Sequence, residues 1–339
     1  YATLVVVQFI FGGWHVLGKI ALKAGCSPFV FALYREIIAS TLIFGMAVPT
    51  DGLLLPRKNH ALRFILMGIC SFVNVVGSVV ALSLVSAPNV ALLQPSIPVF
   101  AMGISRLLRY EWLTLWKSLG LALSVAGSTL VVVFSTEESG SSKDAVTGNI
   151  VLVFQCAAMA MLLVLQKDVN KIYPHKTITF WFYSIGTVLS GIAAAVAVKH
   201  AAALDVKARE IWIALGYASV FATMFNYIAM TWTNKYVEAS VVSAFMTLQP
   251  VATVILSAVF LSYHVEVPQI VAGVVVIGGL LVTSYGQTIE RHAATSNAAG
   301  RRLSSPVDEE GMDDPTDEEQ RKQLTFSADS KSGDDYCHP

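Results

Sequence analysis

Side chains able to do chemistry stand singly in long apolar runs: Trp14 and His15, Lys19, Arg35 beside Glu36, Asn74, Gln94, Gln155, Asn226 beside Tyr227, and Gln249. Amides, a phenol, an indole and an imidazole in such places can hydrogen-bond a solute or each other. An arginine at a bilayer centre costs about 2.5 to 3.5 kcal/mol on insertion scales, so Arg35 needs a reason to be there. Each residue also has a plainer reading. Asn74 and Asn226 can be helix-to-helix glue worth about 0.6 kcal/mol per bond, and His15 a structural hydrogen bond. Nothing resembles a Ser/His/Asp arrangement, a phosphate loop or facing carboxylates, so no enzyme is predicted. The cysteine and histidine spacing predicts neither a disulfide framework nor a metal site, and no cofactor is expected.

The elements that must position these groups are membrane helices. Of 339 residues, 55% are hydrophobic and 14% charged, and mean hydropathy is +0.62, against roughly 25% charged in soluble domains. A span needs about 20 apolar residues. Ten runs qualify: about 2 to 22, 28 to 48, 61 to 84, 87 to 106, 113 to 135, 147 to 166, 176 to 197, 211 to 231, 238 to 261 and 267 to 285. The predicted fold is an all-α integral membrane protein in two five-helix halves, 1–135 and 147–285. Residues 286–339 form an acidic tail of 6 Lys+Arg against 12 Asp+Glu, few of them apolar, and are expected to be disordered and cytoplasmic. The first residue is Tyr1, which predicts a cut N-terminus with any targeting segment missing.

Lys and Arg gather in cytoplasmic loops. Loops after the even-numbered spans, with their flanks, carry ten, including Arg57, Arg63, Arg109, Lys167 and Lys235, against five beside the odd-numbered spans. Both termini are therefore predicted cytoplasmic. An odd number of spans per half forces the second half to insert upside down, the inverted-repeat arrangement of many carriers. A shift of 152 pairs Asn74 with Asn226 and Pro98 with Pro250, whereas a shift of 155 pairs Gln94-Pro95 with Gln249-Pro250. Each proline removes a backbone donor and frees carbonyls, which membrane helices tolerate beside protein or a water-filled cavity. Pro95, Pro98 and Pro250 are thus candidate helix breaks in cavity walls, or simple packing kinks.

Arg35 and Glu36 point about 100° apart on a helix, so each needs its own partner. Lys19, near the end of the antiparallel first span, is expected to reach Glu36. Arg35 is then left for head groups or the cavity mouth. The three charges read as a gate or anchor.

GGWHVLGKIALKAGCSPFVFALYREIIAS (12 to 40) resembles the first two helices of the EamA-type drug/metabolite transporter superfamily. IPVFAMGISRLLRYE (97 to 111), GNIVLVFQCAAMAMLLVLQKDVNKIYP (148 to 174) and LQPVATVILSAVFLSYHVE (248 to 266) resemble its fourth, sixth and ninth. Within it the sequence looks most like the plant Walls-Are-Thin-related group. The resemblance implies a ten-helix alternating-access carrier whose spans one, three, four, six, eight and nine line the cavity. The expected function is secondary transport of small organic solutes, amino acids or related metabolites, with proton coupling as one option. The rival substrate class is nucleotide sugars or phosphorylated sugars, which call for more than one deep cation. A different class is a receptor or scaffold signalling through the tail, where Ser304 and Ser305 in RRLSSP suit a kinase. The bilayer and a small solute are the expected partners, nucleic acid is not, and plasma and organelle membranes are equally open.

Overall fold

The computed structural model describes residues 1–52, 54–85, 90, 93–110, 114–133, 142–198, 208–261 and 267–304. It is all-helical among these residues, with α1 (Ala2–Lys23), α2 (Pro28–Asp51), α3 (Lys58–Leu84), α4 (Ser96–Leu107), α5 (Leu115–Val133), α6 (Ser142–Val169), α7 (His175–Ala197) and α8 (Arg209–Tyr236). Two short helices, α9 (Ala239–Ala244) and α10 (Gln249–Leu261), are joined by a 3₁₀ turn over Phe245–Leu248, and α11 (Val267–Ser304) follows. Seven helical segments are long and apolar enough to cross a membrane, and shorter apolar stretches lie at Ser96–Leu107, Leu115–Gly127 and Ile270–Gly286. These segments overlap the predicted apolar runs.

Residues 1–288 form one compact unit, and residues 289–339 a second. Composition predicts disorder from residue 286, but α11 stays helical to Ser304. Ser305, the acidic run after it, Glu111 and Glu266 lie outside the described residues.

Local chemistry sets the helix ends. Gly25 (φ +92°) turns the chain between α1 and α2, and Pro28 opens α2 at a position that needs no amide donor. Gly52 (φ 67°) ends α2 in the left-handed conformation, its N–H donating to Val48 O at 3.2 Å. The outward faces are apolar: Val188, Ile192 and Val196 repeat every four residues on α7 and are all exposed. On the same helix Phe182, Tyr183 and Ser190 are buried. Apolar outside and mixed inside is the pattern of a lipid-embedded bundle.

Lipid tails are as apolar as leucine, so helices associate through close packing over small residues. A Cβ on Gly77 of α3 would stand 3.2 Å from the Cβ of Gln155 on α6. On Gly12 of α1 it would stand 3.0 Å from the backbone N of Thr253 on α10. On Gly120 of α5 it would stand 2.5 Å from the backbone N of Thr283 on α11. The first two of these approaches set the cavity walls.

The even-loop ends are tied by charge. Arg63 pairs with Asp168, which also accepts from Tyr110 Oη at 2.5 Å, and Lys117 pairs with Glu238. Lys167 donates to the Val237 carbonyl and to Asn234 O at 3.2 Å.

Candidate solute-binding cavity

Irregular backbone lies beside Pro95 and Pro250, whereas Pro98, also read as a helix break, does not break its helix. Gln94 and Pro95 form a turn ahead of α4, and Pro98 sits in the first turn of that helix, where its missing N–H leaves no intrahelical bond unmade. In the second half, the 3₁₀ turn ends at Leu248 and Gln249-Pro250 begins α10. The eighth predicted span is also irregular, because Ala218–Phe225 of α8 winds as a π-helix. Such bulges recur at functional sites.

Between these irregular segments lies a cavity of about 40 Å³, lined by Trp14, His15, Arg35, Asn74, Gln94, Gln155, Tyr227 and Gln249 together with Phe11, Ser78, Ile97, Met159 and Met246. At roughly 10 to 15 Å³ of such space per water, it has room for a few water molecules. Seven of the eight predicted cavity residues are thus brought together, from α1, α3, α6, α8, α10 and the turn before α4.

A line of hydrogen bonds crosses the cavity wall. Gln94 Nε2 donates to Gln155 Oε1 at 3.3 Å, Gln155 Nε2 to Asn74 Oδ1 at 2.6 Å, and Asn74 Nδ2 to the Tyr227 hydroxyl. Gly77 makes this possible: it lies one turn from Asn74 on α3 and lets Gln155 come within reach. A second wall repeats the device with different residues. Gly12 admits α10, and one turn earlier Gln8 Oε1 accepts from Gln249 Nε2 at 2.9 Å. Gln8, fully buried, escaped the sequence reading. An amide one turn before a glycine in an apolar run is the signal that could have found it.

The eighth candidate behaves differently. Asn226 Nδ2 donates to Val7 O at 3.2 Å, tying α8 to α1, and the residue does not line the cavity. The plainer reading, helix-to-helix glue, holds for Asn226.

The predicted charge pairs are corrected as well. Lys19 does not pair with Glu36. Its Nζ donates to Leu82 O at 2.7 Å and Val85 O at 2.8 Å, taking up carbonyls that the end of α3 leaves free. Arg35 does not reach toward head groups; it is 2% exposed and lines the cavity. Its Nε donates to Thr223 Oγ1 at 2.6 Å in the π-helix, and its Cζ lies 4.8 Å from the Trp14 ring centroid. Trp14 is itself held by Phe31, with ring centroids 5.4 Å apart. A desolvated cation over an indole gains about 2 kcal/mol, which offsets much of the insertion cost. Arg35 Nη1 has no hydrogen-bond partner among the described residues. Among the described residues that line the cavity there is no Asp or Glu, and Arg35 is the one Lys or Arg.

Glu36 faces the other way, between α2, α3 and α7. It is 0% exposed, with the Ser190 hydroxyl beside its carboxyl.

A family model for EamA-like transporters matches residues 1–133 and again 146–285. The chain belongs to the EamA-like transporter family. This EamA-type chain is 23% identical over 339 residues to Protein WALLS ARE THIN 1 of Arabidopsis thaliana, covering 90% of this chain and 87% of that one. It is 24% identical over 317 residues to a WAT1-related protein of the same plant, covering 85% and 91%. An uncharacterized transporter of Archaeoglobus fulgidus is 25% identical over 295 residues, covering 85% of this chain and 98% of its own. One solved crystal structure shares the fold, with a TM-score of 0.67 at 15% identity, covering 85% of this chain and 98% of the other. The EamA-type chain is accordingly a multi-pass membrane transporter in contact with the lipid bilayer and a small solute.

Proposed function

We propose that this transporter is a secondary carrier of small organic solutes that bear a carboxylate, amino acids or related metabolites, working by alternating access. Ten spans in two inverted five-helix halves would enclose the site, a reading supported by the two separate family matches and by broken helices at Gln94-Pro95 and Gln249-Pro250. The observation that carries the substrate class is Arg35: a buried guanidinium with an Nη1 unpartnered among the described residues, ringed by amides and aromatic faces, with no carboxylate among the described residues that line the cavity. Guanidinium to carboxylate is a charge-assisted hydrogen bond about twice as strong as a neutral one. Asn74, Gln155, Gln94 and Gln249 offer both donors and acceptors for the rest of the solute.

A cavity this small must widen before an organic solute fits. The ion pairs and lysine-carbonyl bonds at the even-loop ends would hold one face closed while the other opens, and the 3₁₀ and π segments are where helices can bend. The charge bias of the loops supports a cytoplasmic position for that tied face and for both termini. A nucleotide-sugar exchanger is the less favoured reading, because among the described lining residues Arg35 is the one Lys or Arg rather than one of several.

The test is uptake of labelled amino acids, auxin and nucleotide sugars into proteoliposomes carrying the full chain. The expected result is uptake of one or more small carboxylates, retained when residues 305–339 are deleted. Uptake of nucleotide sugars alone would favour the exchanger. No uptake of any class would overturn the carrier reading, and signalling lost with the tail would favour the receptor.

A further inference from the structure

Glu36 is one of four polar groups gathered between α2, α3 and α7. A Cβ placed on Gly186 of α7 would stand 3.3 Å from Glu36 Oε1 and 3.4 Å from Ser71 Oγ, so both oxygens face the same bare stretch of α7. Ser190, one turn on, lies beside the Glu36 carboxyl. Tyr183 precedes Gly186 by one turn and interacts electrostatically with Glu36 and with Arg35. Ser71, Tyr183 and Ser190 are each at most 1% exposed; the Ser190 hydroxyl stands within weak hydrogen-bond reach of the Glu36 carboxyl and that of Tyr183 within reach of Tyr227, while the Ser71 hydroxyl has no partner among the described residues. A carboxyl buried with one weak hydroxyl partner remains under-satisfied, and an unpaired buried polar group costs about 1 to 3 kcal/mol.

The cluster adjoins the cavity. The Tyr183 ring meets the Tyr227 ring edge to face at 5.0 Å, and Tyr227 lines the cavity wall. The charged and titratable groups facing Glu36 are Arg35 on α2, Tyr183 on α7 and Tyr227 on α8; α3 supplies Ser71. Of these, only Arg35 is a cation, so its charge alone can balance an ionised Glu36.

We infer that Glu36 is a proton-binding site, loaded when a carboxylate solute occupies Arg35, so that one anion and one proton cross together. With the cavity empty, Arg35 positive and Glu36 negative sum to zero. A carboxylate on Arg35 takes up that positive charge and leaves Glu36 unbalanced in a low-dielectric interior. An O–H bond then forms on Glu36 with a proton from water, and the loaded site is neutral again. Release of the anion restores the first state and returns the proton. Neutral forms cross a bilayer core most readily, so both states can change access while an anion bound without its proton cannot. The hydroxyls of Ser71, Ser190 and Tyr183 supply donors to the ionised carboxyl and acceptors to its protonated form.

This rests on the carrier reading, and two measurements separate the two. Indole-3-acetate and L-glutamate serve as labelled probes in proteoliposomes of the full chain, under an imposed proton gradient or an imposed sodium gradient. An electroneutral one-to-one symport accumulates an anionic probe about tenfold per pH unit, and the sodium gradient adds nothing. Glu36→Gln, a fixed neutral mimic of the protonated acid, should lose that accumulation. Its binding of the probe in detergent should no longer weaken as pH rises, as it does in the unaltered chain. Uptake by the unaltered chain that follows sodium or ignores the proton gradient overturns the inference and leaves the carrier reading standing. So does undiminished proton-driven accumulation in Glu36→Gln. If that variant fails to fold, the gradient dependence of the unaltered chain decides alone. No movement of any carboxylate overturns both.

Discussion

Asn74 accepts a hydrogen bond from Gln155 at 2.6 Å and donates one to Tyr227, so a single amide joins α3 to α6 and α8 at the cavity wall. Asn74→Leu would leave a buried glutamine and a buried phenol without their partner. At about 1 to 3 kcal/mol for an unsatisfied buried group, solute affinity should fall about fivefold or more. Asn226→Leu, on the matching repeat position, should lower thermal stability through the lost bond to Val7 while uptake per folded molecule stays within about twofold. Equal losses of uptake in both variants would count against placing only Asn74 at the cavity.

Thr223 orients Arg35 rather than the solute. Arg35→Gln should abolish uptake of carboxylates, and Thr223→Val should weaken their binding about three- to tenfold by freeing the guanidinium from one of its supports. Competition by acid and amide versions of one solute reads this directly. The acid should be preferred by the unaltered chain and not by Arg35→Gln.

Lys19 and Glu36 do not touch, so their replacements should act independently. Lys19→Gln loosens the hold on the Leu82 and Val85 carbonyls, and Glu36→Gln acts at α7. In a double-mutant cycle on thermal unfolding, the two losses should add within about 0.5 kcal/mol. A larger positive coupling would restore the ion pair that the sequence reading favoured.

The Arg63–Asp168 pair is partly exposed, with side chains 38% and 28% accessible. A pair of that kind is worth roughly 0.2 to 1 kcal/mol and weakens with salt. Asp168→Asn should therefore barely change stability but should shift the balance between closed and open forms of the even-loop face. Cysteine accessibility at that face, compared at low and high salt, checks this.

Gly68 of α3 packs tightly against α7: an added Cβ would stand 2.3 Å from Ile185 Cγ2. Gly68→Ala should cost about 1 to 3 kcal/mol by overpacking. Ile185→Ala in the same chain should recover most of the loss, a reciprocal effect that thermal unfolding in detergent will register.

Much of this was readable from residues alone, for physical reasons that can be stated. Hydropathy over about 20 residues marks a span because the bilayer sets the length. Proline marks a break because it lacks a donor wherever it sits, so Gln94-Pro95 and Gln249-Pro250 were visible as irregular backbone beside glutamines. What misled was symmetry. Asn74 and Asn226 occupy matching positions, yet one faces the cavity and the other a neighbouring backbone, because the halves need not keep the same side chain in the same role.

The sequence by itself determined that this chain is a bundle of membrane helices, where its irregular turns fall, and which amides and charges lie within them. Hydropathy and proline chemistry act locally, so no partner is needed to read them. Only the tertiary structure decided where those groups point. A helix such as α2 is apolar on nearly every side, so its sequence carries little record of its rotation; packing against α7 and the π-helix of α8 turned Arg35 inward to Trp14 and Thr223 and buried Glu36 against Gly186. Lys19 went to the end of α3 for the same reason. Free carbonyls at a helix terminus are partners that only the folded chain brings within reach.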